Sequence, residues 1–206
     1  MSLKDNIRAV AVDLFSRNGI KRVSMTDIAR KANVSKRTLY DFFGDKEALL
    51  IDMLQKMREP VSEYIRSLEK MPYTALEIIL LLNEKMMEKP TWVCEDFFED
   101  IKRYPNALQL MLETKKRFIN KIIELLKRGE KEAVFMSNIN YDIISMMAHR
   151  EYSMSGASDI CTKYTHEEVH NTLFFIFLRG ISTCAGCEII DGFVTKKKYK
   201  SGNIQL

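Results

Sequence analysis

The chain has 206 residues, is 46% hydrophobic and carries a formal net charge of +4, which excludes wholesale disorder and allows a real core. Only 8 Gly and 4 Pro punctuate it, and Leu, Met, Glu and Lys are plentiful, so an all-α fold is expected rather than a β-rich one. The longest apolar runs, Ile78 to Leu82 and Leu173 to Leu178, fall far short of the ~20 residues that cross a bilayer.

Met1 to Asn18 carries too many charges for a signal peptide, so the chain is expected in the cytoplasm, with no membrane partner. There Cys94, Cys161, Cys184 and Cys187 should be reduced thiols. Residues 1–50 hold a net +4, residues 193–206 add four lysines, and the long middle nets −4. Any polyanion should therefore meet the N-terminal quarter. The terminal Lys196-Lys197-Lys198-Tyr199-Lys200 is expected to be a frayed, solvated end.

In chain order, the first predicted helix spans Leu3 to Asn18, capped by Ser2 and ended by Gly19, with Ile7, Val10, Ala11, Leu14 and Phe15 as its apolar stripe. Ser24 caps a short second helix, its hydroxyl taking the Asp27 amide, and Ile28, Ala29 and Ala32 face inward. Asn33 stands where a left-handed residue is needed. Ser35 caps a third helix, Lys36 to Phe43, and a fourth begins at Lys46 and should reach about Arg58, where Pro60 kinks or ends it. Further helices are predicted at 73–88, 92–103, 106–128 (stopped by Gly129), 139–154 and 166–188, with a loop at 155–159.

Two short helices joined by the three-residue turn Asn33-Val34-Ser35 make a helix-turn-helix, whose second helix can enter a DNA groove. On that helix Leu39 and Phe43, with Phe42, should be buried. Lys36, Arg37, Thr38, Tyr40 and Asp41 then face outward. Arg37 can chelate a guanine edge, Asp41 can accept from cytosine N4, and the Thr38 methyl can touch a thymine methyl. Tyr40 and Lys46 fit phosphate clamps, and Ser24 and Thr26 can donate to phosphates.

The stretch Phe15-x-x-x-Gly19-Ile20-x-x-x-Ser24-Met25-x-x-Ile28-Ala29-x-x-Ala32-x-Val34-Ser35-x-x-x-Leu39-Tyr40-x-x-Phe43-x-x-Lys46-x-x-Leu49-Leu50 resembles the DNA-binding signature of the TetR family. Asn33 replaces a usual Gly, and Arg37 a small residue, which suggests an operator preference of its own. The resemblance implies a DNA-binding domain over 1–61 (motif about 24–43) and a helical regulatory, ligand-binding and dimerisation domain over 62–206. It implies a transcriptional regulator, a repressor released by a small-molecule inducer, and not an enzyme, with no cofactor or metal. Its partners would be a palindromic double-stranded operator, a second copy of itself and an unidentified inducer.

For the inducer pocket the nominated residues are Met86, Met87, Trp92, Phe97, Phe98, Tyr104, Met111 and Phe118, each equally readable as plain core. By the same resemblance the last two long helices, 139–154 and 166–188, would pair with their twins. Ile143, Ile144, Met147, Phe174, Phe177, Leu178 and Ile181 would form that face, with Gly180 and Gly186 allowing close approach.

His166-Glu167-Glu168-Val169-His170 has the H-E-x-x-H pattern of a zinc hydrolase, but Thr165 and Glu168 form a capping box, so the pattern occupies an exposed first turn. Cys184-Ala185-Gly186-Cys187 invites a redox-sensing reading, but its expected place near a helix C-terminus disfavours a thiolate.

Overall fold

The computed structural model describes residues 2–88, 94–154 and 163–202, with side chains except at 95, 148–154, 166 and 196–202. The helices are α1 (Leu3–Asn18), α2 (Met25–Lys31), α3 (Lys36–Phe43), α4 (Lys46–Leu68), α5 (Ala75–Glu88), α6 (Glu95–Asp100), α7 (Pro105–Lys131), α8 (Tyr141–Met154), α9 (His166–Ile181) and α10 (Cys184–Gly202). A short 3-10 turn, Ile101–Arg103, follows α6. The fold is all-α; an isolated antiparallel bridge pairs Phe135 with Ser182.

Packing divides the chain into two units, the first comprising Met1–Glu63 and Pro90–Arg117 and the second Tyr64–Lys89 and Phe118–Leu206. In the first unit, Ile7, Ala11 and Phe15 of α1 meet Ile28 and Ala29 of α2, Leu39 and Phe43 of α3, and Leu49, Leu50 and Met53 of α4. Each fully buried large side chain there contributes roughly 1.5–3 kcal/mol. Phe97, Ile101 and Ala107 belong to the same core. The α6 region thus packs with the helix-turn-helix, a grouping that a boundary at 61 does not anticipate.

The second unit is built around Ala75, Leu76, Ile78, Ile79 and Leu80 of α5, with Leu125 and Leu126 of α7, Leu178 and Ile181 of α9 and Ile190 of α10. The start of α5 is fixed by Thr74 and Glu77, whose side chains bond each other's backbone amides at 2.8 and 3.2 Å.

Four predicted boundaries move. α4 runs through Pro60 to Leu68. Lys56 and Pro60 are both exposed, so the carbonyl deprived of its donor meets solvent while buried Met53, Ile65 and Leu68 hold the helix. The helix predicted over 92–103 is described only from Glu95 and tightens into the 3-10 turn at Ile101.

Gly129 does not stop α7, which continues to Lys131. A Cβ at Gly129 would lie 2.3 Å from the Phe135 ring. The glycine instead admits that ring as Ala133, at φ 58°, turns the chain back.

The helix expected over 166–188 is two helices. Ser182, in extended conformation, ends α9, and Thr183 donates its amide to Val134 at 3.1 Å while Met136 donates to Ile181 at 2.9 Å. This pairing with residues some fifty positions away breaks the helix just after Gly180. The terminal stretch, expected to fray, is part of α10 as far as Gly202.

Gly186 was expected to admit a second subunit's helix. Its close neighbour is instead its own chain: a Cβ there would lie 2.2 Å from the Val134 carbonyl oxygen. Gly186→Ala should therefore destabilise the second unit by about 1–3 kcal/mol, as overpacking does. In an open helical site the same change stabilises by about 1 kcal/mol. Gly180, with nothing within 4 Å, is such a site. Urea unfolding of the two variants should give shifts of opposite sign; two stabilised variants would contradict the tight joint.

Candidate nucleic-acid interface

The helix-turn-helix is specified by local chemistry. Ser24 and Asp27 form a complete capping box, the Asp27 amide reaching Ser24 Oγ at 3.1 Å and the carboxylate receiving the Ser24 amide at 3.0 Å. The Asp27 carboxyl is held below the usual range chiefly by the Ser24 hydroxyl, then by the Ser24 amide. After α2, Asn33 takes φ 56°, the left-handed conformation the turn requires. Val34 N–H donates to Ala29 at 3.0 Å, and Asn6 Nδ2 on α1 bonds the Ala32 carbonyl at 3.0 Å, bracing the turn. Ser35 Oγ then accepts the Thr38 amide at 3.0 Å to start α3.

On α3, Leu39 and Phe43 are buried. Lys36, Arg37, Tyr40 and Asp41 are exposed and Thr38 is half-buried, its hydroxyl 2.7 Å from Ser35 Oγ. Phe42, expected inside, is 42% exposed. At 100° per residue it falls on the flank of the buried Leu39–Phe43 stripe rather than within it. The Arg37 side chain is 92% exposed and meets Asp41 only at 4.0 Å. Lys36 lies over the Tyr40 ring at 5.9 Å.

Neighbouring cations are more firmly engaged. Lys4 and Arg8 pair with Asp52 at 3.0 and 2.6 Å, Arg17 and Lys31 with Asp13 at 2.7 and 2.6 Å, and Arg22 with Asp96 at 3.4 Å. Lys36 and Arg37 are exposed in the first turn of α3, where free backbone amides also favour phosphate.

Two expected phosphate donors are already engaged. Ser24 Oγ–H donates to Asp27 at 2.6 Å. Lys46, expected as an outward clamp, turns inward. Its ammonium donates to the Ile20 carbonyl and lies 5.7 Å above the Phe15 ring. Burial lowers the Lys46 pKa, opposed by the Asp100 and Asp27 charges. In this conformation it ties α4 to the loop before α2. Lys46→Met should cost about 1.5–3 kcal/mol of stability without DNA present, the worth of a hydrogen bond from a charged group. An unchanged melting temperature would restore the outward clamp.

That loop has a second anchor invisible in the local sequence. Asp100 accepts the Lys21 amide at 2.6 Å across 79 positions, and Gly19, at φ 75°, passes so close that a Cβ would lie 2.8 Å from Asp96 Cβ.

The nominated pocket residues do not gather in one unit. Phe97 is buried in the first unit's core, where Tyr104 and Met111 pack against it, and Phe98 is 49% exposed. Met86, Met87 and Phe118 fall in the second unit; Trp92 lies outside the described residues. A depression of about 770 Å³ opens to solvent in the second unit, lined by Lys127, Glu130, Lys131 and residues 138–142, none of them nominated.

Of the nominated dimer residues, Ile143 and Met147 are exposed, as is their neighbour Met146. Ile144 and Phe174 are half-buried against the second core, and Phe177 is half-buried too. Leu178 and Ile181 are buried inside their own unit.

The H-E-x-x-H and Cys-x-x-Cys stretches lie on α9 and α10. Thr165 and Glu168 form the expected box; the His166 side chain lies outside the described residues. His170 bonds Asn83 at 2.7 Å and stacks on Phe174. Among the described residues no three His, Cys, Asp or Glu side chains group to hold a metal. Cys184 and Cys187 lie in the first turn of α10, at the opposite end of a helix from the C-terminus expected for them. No described helix is long and apolar enough to cross a membrane.

Residues 7–53 match the family model of bacterial regulatory proteins of the tetR family. The chain is 23% identical over 194 residues to the HTH-type transcriptional regulator QacR of Staphylococcus aureus (strain Mu50 / ATCC 700699), covering 88% of this chain and all of that protein. A putative transcriptional regulator from Saccharomonospora viridis, solved in complex with choline, aligns with a TM-score of 0.72 at 18% identity, over 87% of this chain and 97% of that one. CprB of S. coelicolor A3(2), a TetR family protein, aligns with a TM-score of 0.74 at 16% identity, over 94% and 95%. At such identities the structural likeness is one of fold.

Proposed function

We propose that this chain, which belongs to the TetR family of transcriptional regulators, binds operator DNA as a homodimer and represses transcription until a small molecule releases it. The observation that carries the reading is α3 itself: a capped helix, anchored by Leu39 and Phe43, with Lys36 and Arg37 exposed in its first turn. Lys36, Arg37, Thr38 and Asp41 are assigned to the major groove, and Tyr40 and Thr26 to phosphates. Ser24 reaches a phosphate only by turning its hydroxyl from Asp27, and Lys46 only by leaving Ile20.

A second copy is assigned to the face bearing Ile143 and Met147, with the outer edges of Ile144, Phe174 and Phe177; Leu178 and Ile181 back it from within. A two-fold pair reads a near-palindrome with half-sites about 34–36 Å apart or a multiple of it. The choline complex of the S. viridis protein supports a small-molecule effector. Met86, Met87 and Phe118 are the candidates to meet it in the second unit. To release the operator, the effector must bind the DNA-incompetent state more tightly.

The test is to select bound genomic fragments with the purified chain, then titrate the recovered sequence against scrambled DNA at fixed salt. Preference for the selected site should be on the order of a thousandfold or more, with log affinity falling linearly with log salt. Equal binding to both duplexes would remove the sequence-specific reading.

A further inference from the structure

We propose that Phe42 reads the 5-methyl group of a thymine in the major groove; the inference rests on the DNA-binding reading above. α3 is described at every residue, and of its exposed side chains Phe42 alone carries no polar atom. The core of the first unit closes on α3 through Leu39 and Phe43, at 0% and 6% exposure, so folding leaves Phe42 at 42% exposure. Its ring meets Phe43 at 6.2 Å and an angle of 52°.

The ring's neighbours on α3 point to its occupant. Phe42 follows Thr38 by one turn, so the two share a flank beside outward-facing Asp41. The Thr38 hydroxyl lies 2.7 Å from Ser35 Oγ, and its methyl is the apolar group it offers a ligand. Thr38 and Phe42 together make a short apolar strip on an otherwise polar groove-facing helix. A phenyl ring can neither donate to phosphate nor pair with a base edge. The thymine methyl is the apolar group that an unmodified base displays in the major groove, and Phe is suited to touch it.

The strip's place on the helix sets its register. Five residues separate Arg37 from Phe42, about 7.5 Å along the axis. This corresponds to about two base steps at 3.4 Å per strand. The thymine read by Phe42 should therefore lie about two base pairs from the guanine read by Arg37.

Deoxyuridine scanning of the selected operator tests this, because replacing thymine by uracil removes the methyl group and nothing else. With the full chain, one thymine in each half-site should show an affinity loss of about fourfold on replacement, the worth of one buried methyl-sized group. In Phe42→Ala that loss should vanish at the same thymine and persist elsewhere; Phe42→Leu, which keeps apolar bulk, should retain part of it. Circular dichroism of both variants should match the parent, with at most a modest fall in melting temperature, since the ring sits at the edge of the core. Uracil effects identical in parent and Phe42→Ala would overturn the proposal, as would a variant weakened equally on every sequence, which marks a backbone contact. If the parent bound no sequence preferentially, the DNA reading itself would fail, a result distinct from specific binding without methyl dependence.

Discussion

Arg37→Ala is expected to lower operator affinity by about tenfold to a hundredfold per half-site while hardly changing stability. The loss follows from a bidentate arginine–guanine contact, worth about 1–3 kcal/mol against a wrong base. The small stability cost follows from the site: the side chain is 92% exposed and its Asp41 partner stands at 4.0 Å. Such an exposed pair contributes little, and Ala is at least as good a helix former as Arg. Affinity for scrambled DNA should fall far less, so the specificity ratio collapses. Arg37→Lys should restore charge without restoring that ratio, because an ammonium lacks the planar fork. Titrations of all three proteins against both duplexes at one salt concentration decide it. Parallel losses on both duplexes would assign Arg37 to phosphate instead.

Phe15→Ala is expected to cost about 3–5 kcal/mol, the range for truncating a buried aromatic. Phe15 is 0% exposed, and its carbonyl accepts the Gly19 amide at 3.1 Å where α1 ends. Its ring also lies beneath the Lys46 ammonium. Truncation therefore opens a cavity under the loop that carries Ile20 and loosens the entry to α2. Against a typical total of 5–15 kcal/mol, much of the fold's margin is lost, and operator binding should fall with the folded fraction. Urea unfolding measures the cost; a loss under about 1 kcal/mol would mean that the neighbourhood collapses onto the gap.

The contrast between these residues and the misread ones shows what a sequence carries. α1 to α3 were legible because their determinants are local: a cap and its partner three residues on, apolar spacing, and an Asn where φ must be positive. The exposure of Arg37 follows from the same spacing. Phe42 goes inside only if its aromatic character is weighed above its spacing, since helical spacing sets it on the flank of the Leu39–Phe43 stripe.

Determinants distant in sequence were not legible. The break at Ser182 needs the pairing with Val134 and Met136, and it moves Cys184 and Cys187 from one end of a helix to the other. The inward turn of Lys46 depends on the Ile20 carbonyl, and the anchoring of Lys21 on Asp100. Composition could nominate Met86 and Phe97 for one pocket. It could not show that they pack in different units.

Guanine N7 lies only in the major groove, so protection of the selected operator from methylation at that atom tests the central claim most directly. Two protected patches should appear, centred about one helical turn apart or a multiple of it, each losing a guanine signal when Arg37 is replaced by Ala. Binding that leaves every guanine N7 reactive, or a pattern untouched by the substitution, would contradict placement of α3 in the groove.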